Sequence, residues 1–160
     1  MAELPDRGAA QRLLATFRRI HRERMAGLPI LNPRLEVAVL EGRVWGDDWT
    51  GILLTPWLMS LVALPSAESA PGWLAGTERT LELPAGRLTL AVATEPDLGP
   101  YAACSLFSPM GEFPDQETAL IAARAALAAL FVPAGHAAAA AERSRGISRR
   151  DLLRGGRGRA

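Results

Sequence analysis

The feature that most constrains the fold is a nearly continuous apolar run, Trp57–Leu64, with Pro56 before it and Pro65 after it. A run of this length between two prolines is typical of a strand that is buried on both faces of a sheet. A short helix is the alternative, because periodicity does not separate the two for so short a segment. The wider apolar stretch, Ile52–Leu64, is shorter than the ~20 residues of a membrane span, so we expect no direct membrane insertion.

Two turn sequences predict antiparallel hairpins on either side of this run. Gly46-Asp47-Asp48 lies between two apolar segments, and its glycine supplies the positive φ of a tight turn. Pro84-Ala85-Gly86 joins a second pair of segments with equally suitable turn residues. We therefore expect about six mostly antiparallel strands, drawn from residues 36–41, 43–45, 49–54, 57–64, 80–83, 87–93 and 101–107.

Helical periodicity marks the two ends of this region. Asp6 is a suitable N-cap residue, and an apolar stripe with a spacing of three or four residues continues from there to about Met25. Asp115 begins a second helix, rich in alanine, that reaches Phe131. The sequence thus predicts an α+β fold in which the two helices cover one face of the sheet.

Domain organisation and charge change together along the chain. We expect a single domain over residues 1–133, followed by an alanine-rich linker and an arginine-rich, mobile tail over residues 134–160. Counting Arg, Asp and Glu, the net charge is +3 over residues 1–25, −7 over residues 26–141 and +5 over residues 142–160. Basic ends are one way to hold nucleic acid, but the acidic body argues against it, and no nucleic-acid partner is expected.

Residues suited to catalysis or cofactor binding are few. The single cysteine, Cys104, has no partner for an intrachain disulfide, and His21 and His136 are too far apart to match a metal-site spacing. Asp47 and Asp48 occupy a turn, where aspartate is favoured by local hydrogen bonds. We expect a non-enzymatic protein without a cofactor, and the alternative is a small enzymatic or redox helper that uses Cys104. No export signal is evident, which favours the cytoplasm.

Apolar segments interrupted by proline carry more information. Large, flexible or aromatic side chains near predicted strand ends are difficult to bury completely, and such side chains suit a groove that accepts an apolar peptide. The candidates for client contact are Trp57, Met59, Phe107 and Met110.

Four of these segments, taken in order, resemble a known family. They are Leu-Pro-Ile-Leu-Asn-Pro at 28–33, Leu-Thr-Pro-Trp-Leu-Met at 54–59, Glu-Leu-Pro-Ala-Gly at 82–86 and Cys-Ser-Leu-Phe-Ser-Pro-Met at 104–110. With this spacing the chain resembles the HybE/HupJ/HoxT family of nickel–iron hydrogenase assembly chaperones. The resemblance implies a cytoplasmic, non-enzymatic chaperone that binds precursors of the hydrogenase subunits. The small subunit, with its twin-arginine signal, is the expected client before folded export.

The tail contains a segment that resembles such a signal. Its residues, Ser148, Arg149, Arg150, Asp151, Leu152, Leu153 and Arg154, resemble the pattern Ser-Arg-Arg-x-Phe-Leu-Lys, with Leu152 in the Phe position and Arg154 in the Lys position. The position does not suit an export signal, because no apolar region follows at residues 155–160. The alternatives are a one-turn helix capped by Ser148 and Asp151, or a disordered basic tail.

A further hypothesis is that the tail mimics the client and occupies the client groove of its own or a neighbouring molecule. Arg149 and Arg150 are then expected to pair with carboxylates, while Leu152 and Leu153 fill apolar pockets. The candidate carboxylates are Asp47, Asp48, Glu112 and Asp115. Such a tail makes self-association a further expectation.

Overall fold

The helices and strands follow the apolar segments over residues 6–133, which are the residues that the computed structural model describes. Helix α1 (Asp6–Ile20) continues into a π-helical turn, His21–Met25, and helix α2 is Gln116–Leu130. The strands are β1 (Ala38–Trp45), β2 (Asp48–Leu54), β3 (Met59–Leu64), β4 (Glu78–Leu83), β5 (Gly86–Glu95) and β6 (Gly99–Phe107). Within this range they form one antiparallel sheet in the order β1-β2-β3-β6-β5-β4, which confirms the predicted α+β class.

The apolar run of the sequence becomes strand β3. All six residues of β3 are buried, and the strand lies between β2 and β6. The predicted strand is therefore confirmed, and the helical alternative is wrong for this segment. The strand begins at Met59, because Thr55–Leu58 form the turn that leads out of β2.

The two helices cover opposite faces of the sheet. Ile52 and Leu53 are neighbours on β2, so their side chains point to opposite faces. Leu53 belongs to the buried cluster that contains the apolar stripe of α1, and Ile52 belongs to the cluster that contains Ala119 and Ala123 of α2. The expectation that both helices cover one face is wrong, because β2 and β3 are apolar on both faces and each face needs its own cover.

The sheet curls around the end of α2, so its two edge strands approach each other. Trp45 at the end of β1 donates a hydrogen bond from Nε1 to the carbonyl oxygen of Glu82 in β4, at 2.7 Å. The turn between β4 and β5 contacts the helix as well, since the amide of Ala85 donates to the carbonyl oxygen of Leu130 at 3.3 Å. The C-terminal end of α2 therefore lies beside both edges.

Both predicted hairpins are present. A further glycine, Gly51, is explained by the close approach of a neighbouring strand and an indole ring. Gly46 has a φ of 66° in the β1–β2 turn, and Gly86 has a φ of 141° after the β4–β5 turn. At Gly51 on β2, an added Cβ would lie 2.7 Å from the carbonyl oxygen of Leu40 and would overlap the indole of Trp49. Only glycine leaves room for the indole and for the neighbouring strand at this position.

Several element boundaries differ from the sequence expectation, and the differences in α1 and β1 are the clearest. The α-helical part of α1 ends at Ile20, five residues before Met25, where the π-helical turn ends. β1 is one strand with a bulge between Glu41 and Arg43, not two separate segments.

Within residues 6–133 no helix is both long and apolar enough to cross a membrane. The predicted linker and tail, with His136, lie outside the described residues.

Candidate functional site

Three of the proline-containing segments meet at one end of the sheet. Leu54 at the end of β2 pairs with Met59 at the start of β3, and Met59 pairs with Phe107 at the end of β6. We call this region the motif junction and define it as residues 28–33, 55–59 and 107–113. It combines the first, second and fourth segments of the family resemblance in one place.

Asn32 ties the three segments together from a buried position. Its Nδ2 donates to the carbonyl oxygens of Met110 at 2.9 Å and Phe113 at 2.8 Å. Its backbone amide donates to the carbonyl oxygen of Pro56 at 2.9 Å, and its Oδ1 accepts from the amide of Arg34 at 3.0 Å. Because the side chain is only 6% exposed, these bonds satisfy groups that water does not reach.

Thr55 shapes the second segment through its hydroxyl. Oγ1 accepts from the amides of Trp57 at 3.2 Å and Leu58 at 2.9 Å, and the amide of Thr55 donates to the carbonyl oxygen of Leu58 at 2.8 Å. These bonds close the turn between β2 and β3, which is buried except for the half-buried Leu58. Thr55 therefore acts as a structural residue of the motif junction.

The apolar side chains expected to contact a client lie mostly inside the protein. Met59 and Met110 are fully buried, and Trp57 is 9% exposed, with its ring centroid 5.9 Å from that of His21. The expectation that these side chains resist complete burial is wrong for Met59 and Met110, which the core on the α2 face covers, and Trp57 keeps only this small exposed fraction. Phe107 is half-buried and contacts Phe113 at 5.5 Å between ring centroids. Whether any of them contacts a client stays a prediction.

The exposed apolar residues of the motif junction lie in its first segment. Leu28 is 43% exposed and Ile30 is 47% exposed. Leu28 lines a groove of about 500 Å³, whose other walls include His21, Leu31, Pro33 and Leu35. Sequence reasoning did not select Leu28 or Ile30, although two prolines bracket the segment and it lacks the alternation of a half-buried strand.

A cluster of ion pairs holds one wall of this groove. Arg24 in the π-helical turn makes two hydrogen bonds to the carboxylate of Glu95, at 3.0 and 2.7 Å. Arg19 reaches Asp97 at 2.7 Å at the same end of β5. These contacts fix the turn against the β5–β6 hairpin, where burial and nearby Glu95 raise the pKa of Tyr101.

The structure divides the four candidate carboxylates into two pairs. Glu112 is exposed and lies between Met110 and Phe113, the two residues bound by Asn32. Asp115 is the N-cap of α2, as predicted, and its side chain accepts from the amide of Thr118 at 2.7 Å. These bonds from Thr118 lower the pKa of Asp115. One pair of acids therefore lies beside the motif junction.

The other pair lies at the opposite end of β1. Asp47 lies in the β1–β2 turn and Asp48 is the first residue of β2, and β1 has eight residues, which corresponds to ~25 Å of strand. Asp48 is held in place, because its Oδ1 accepts from the amide of Ser66 at 3.2 Å and from Oγ of Ser69 at 2.8 Å. One bound segment of a few residues cannot contact all four acids. The tail residues Ser148–Arg154 lie outside the described residues.

Cys104 lies half-buried on β6 and packs against the core on the α2 face. Between residues 6 and 133, no group of three or more His, Cys, Asp or Glu side chains is placed to hold a metal ion. The arrangement at the motif junction supports non-covalent contact with an apolar chain, and acids at its edge favour a cationic neighbour.

Comparison with known proteins gives consistent matches. A family model described as "[NiFe]-hydrogenase assembly, chaperone, HybE" matches residues 8–155. The chain is 37% identical over 146 residues to the hydrogenase expression/formation protein HupJ of Bradyrhizobium diazoefficiens, covering 89% of this chain and 85% of that protein. It is 38% identical over 138 residues to HoxT of Azotobacter vinelandii, covering 85% and 88%. The solution structure of HybE from Escherichia coli matches with a TM-score of 0.58 at 25% identity, covering 78% of this chain and 76% of that one.

Proposed function

The chain belongs to the HybE family of nickel–iron hydrogenase assembly chaperones, and on that basis we propose that it binds the precursor of a hydrogenase small subunit. The contact includes the twin-arginine export signal of that precursor. Binding precedes export of the folded subunit, so it takes place in the cytoplasm. The groove of the motif junction is the binding site.

The observation that carries this proposal is the exposed apolar wall beside the groove. Leu28 and Ile30 expose nearly half of their surface on a segment that Asn32 anchors to the body of the domain. Isolated exposed leucines are common, but here Leu28 lines a groove with apolar walls, and Ile30 is exposed two residues further along the same segment. A rigid apolar groove of this kind accepts the apolar part of an extended or helical peptide.

Charge at the motif junction suits the arginine pair of the same peptide. Glu112 is exposed in the motif junction, and Asp115 is exposed two residues beyond it. Glu117 lies in the first turn of α2, and Gln116 bonds to the backbone of Glu36. Arg34 is the only basic residue in the sequence of residues 28–36 and 107–117. Arginine recognises carboxylates through paired hydrogen bonds, which adds orientation to attraction. In this proposal the groove binds the apolar segment of the signal, and the acids of the motif junction bind the arginines that precede that segment.

The mechanism requires no covalent step. Apolar contacts supply most of the affinity, and the carboxylates increase the association rate and select the orientation of the signal. Release follows from dissociation, because the apolar segment must leave the groove before export.

Co-purification from cells that produce the hydrogenase tests the proposed partner. The tagged chain is expected to recover the small-subunit precursor with its signal uncleaved, and a small subunit produced without its signal is the matched control. Recovery of neither precursor, or of the large-subunit precursor alone, contradicts the proposal.

A further inference from the structure

A second recess lies at the end of the sheet opposite the motif junction. It has a volume of about 480 Å³ and lies between the β1–β2 turn and strand β4. We call it the hairpin pocket, and it is lined by Trp45, Asp47, Asp48, Ser69, Arg79 and Glu82. Nothing in the proposed function uses this pocket.

Two carboxylates of the hairpin pocket have no cationic partner among the described residues. Asp47 and Asp48 form no ion pair with residues 6–133. Glu82 is already paired with Arg87, at 2.9 Å from Nε. The guanidinium of Arg79 lies over the ring of Trp73, at 4.4 Å from its centroid. Arg12 of α1 lines a separate recess together with Asp47 but forms no ion pair with it. The β1–β2 turn therefore presents two carboxylates without an ion-pair partner among residues 6–133.

The chain leaves the described domain at the rim of this pocket. Phe131 follows α2 directly, and its ring centroid lies 5.4 Å from that of Trp45, which lines the pocket. Leu130 accepts the hydrogen bond from Ala85, in the turn that follows β4. The last described residues, which end at Pro133, therefore lie near the hairpin pocket, at the end of β1 opposite the motif junction.

The segment that follows has the complementary charge. Residues 142–160 contain seven arginines and two acidic residues. Ser148 follows Pro133 by 15 positions, which allows an extended reach of roughly 50 Å. For a random coil of 15 residues the root-mean-square span is about 20 Å, which corresponds to an effective concentration in the millimolar range.

We propose that Arg149 and Arg150 bind the hairpin pocket of their own chain through the carboxylates of Asp47 and Asp48. The contact goes beyond the proposed function and does not depend on it. It also revises the hypothesis that the tail occupies the client groove, because the hairpin pocket and the motif junction lie at opposite ends of β1. Tail and client therefore have separate sites on the domain.

Paramagnetic broadening in the full-length chain tests this contact. The chain carries Cys104→Ser and Ser148→Cys, with a nitroxide label at position 148, and its amide spectrum is recorded with the label oxidised and reduced. Strong loss of cross-peak intensity is expected for residues 46–48 and 79–82. The loss is expected to decrease at high salt, because the partners are charged and exposed.

Matched variants distinguish binding by Arg149 and Arg150 from a general electrostatic attraction of the arginine-rich tail to the pocket. Arg149→Gln with Arg150→Gln is expected to abolish the broadening, and Asp47→Asn with Asp48→Asn is expected to do the same. Arg157→Gln with Arg159→Gln removes the same charge and is expected to leave the broadening in place. Unchanged peak positions elsewhere in the spectrum show that each variant is folded.

Three outcomes overturn the proposal. The first is no broadening at the hairpin pocket, and the second is broadening centred on residues 112–116. The third is equally strong broadening when a labelled chain without isotope enrichment is mixed with an unlabelled, enriched chain, which assigns the contact to a second copy. A failure of client binding in co-purification leaves these spectra unaffected, so the two proposals fail independently.

Discussion

The side-chain amide of Asn32 lies 2.9 Å from the carbonyl oxygen of Met110, a residue 78 positions later in the chain. This bond, with its companion to Phe113, joins the segment that follows the π-helical turn to the segment that precedes α2. These bonds therefore fix the position of the segment that carries the exposed side chains of Leu28 and Ile30. Long-range polar bonds hold the motif junction together in addition to apolar packing.

Replacement of Asn32 is expected to destabilise the domain strongly. Asn32→Ala removes two buried hydrogen bonds and leaves the carbonyl oxygens of Met110 and Phe113 without their donor, at a cost of about 2–4 kcal/mol. Urea unfolding of the full-length chain measures this change.

The matched control is a second side-chain amide that bridges two segments on the surface. Gln116 bonds to both the amide and the carbonyl of Glu36, at 3.0 and 3.2 Å, in an exposed position. Gln116→Ala is expected to cost less than about 1 kcal/mol, because water replaces its bonds. Equal losses for the two variants argue against a structural role for the buried amide.

Gly51 is expected to tolerate no side chain. Gly51→Ala places a methyl group 2.7 Å from the carbonyl oxygen of Leu40 and against the indole of Trp49, which costs about 1–3 kcal/mol through displacement of β1 or of the indole. Gly8→Ala is the control, because no atom lies within 4 Å of the added methyl and the site is helical. Thermal unfolding is expected to show a lower Tm for the first variant and an equal or higher Tm for the second.

The cap at Asp115 makes part of the stability dependent on pH. The pKa of Asp115 is lowered by the hydrogen bonds from Thr118, so the folded state favours the carboxylate. The stabilisation is present above the ordinary pKa of an aspartate and is lost as the pH falls below about 4. Asp115→Ala is expected to lower the Tm at neutral pH, with a difference that shrinks in acid.

Asp115→Asn separates the cap from its charge. Asparagine caps helices about as well as aspartate but does not titrate in this range, so its Tm difference from Asp115→Ala is expected to stay constant as the pH falls. A difference between wild type and Asp115→Ala that is independent of pH contradicts the role of the carboxylate.

Much of the fold follows from local sequence signals. The run that ends at Pro65 predicts a strand buried on both faces, and Asp115 predicts the start of α2, because each signal depends on nearby residues. The position of the helices does not follow in this way. Both faces of β2 and β3 are apolar, and only the packed structure shows that α1 covers one face and α2 the other.

The candidate site was predicted less well, for a physical reason. Met59 and Met110 carry large side chains near strand ends, but residues more than 50 positions away determine whether such side chains are covered. Leu28 and Ile30 lie in a segment without regular periodicity, so the sequence does not show which of its side chains face outward. The convergence of three motifs is a tertiary property.

Cys104 is expected to be dispensable for hydrogenase maturation. Cys104→Ser retains a small side chain in a half-buried position on β6 and removes the thiol that the enzymatic or redox alternative requires. Hydrogen uptake by cells that carry the variant is expected to match wild type, with Cys104→Ala as a second substitution. Loss of uptake in both variants at normal levels of the chain favours the alternative.

The central claim, that the motif junction binds the apolar part of a small-subunit signal, is tested most directly by the affinity of the full-length chain for that signal peptide. Leu28→Asp with Ile30→Asp is expected to weaken binding by about tenfold or more, since it removes two apolar contacts. Leu74→Asp is the control, because Leu74 is 62% exposed and lies outside the junction. We predict an affinity for Leu74→Asp equal to that of wild type; equal affinities for all three proteins contradict the account.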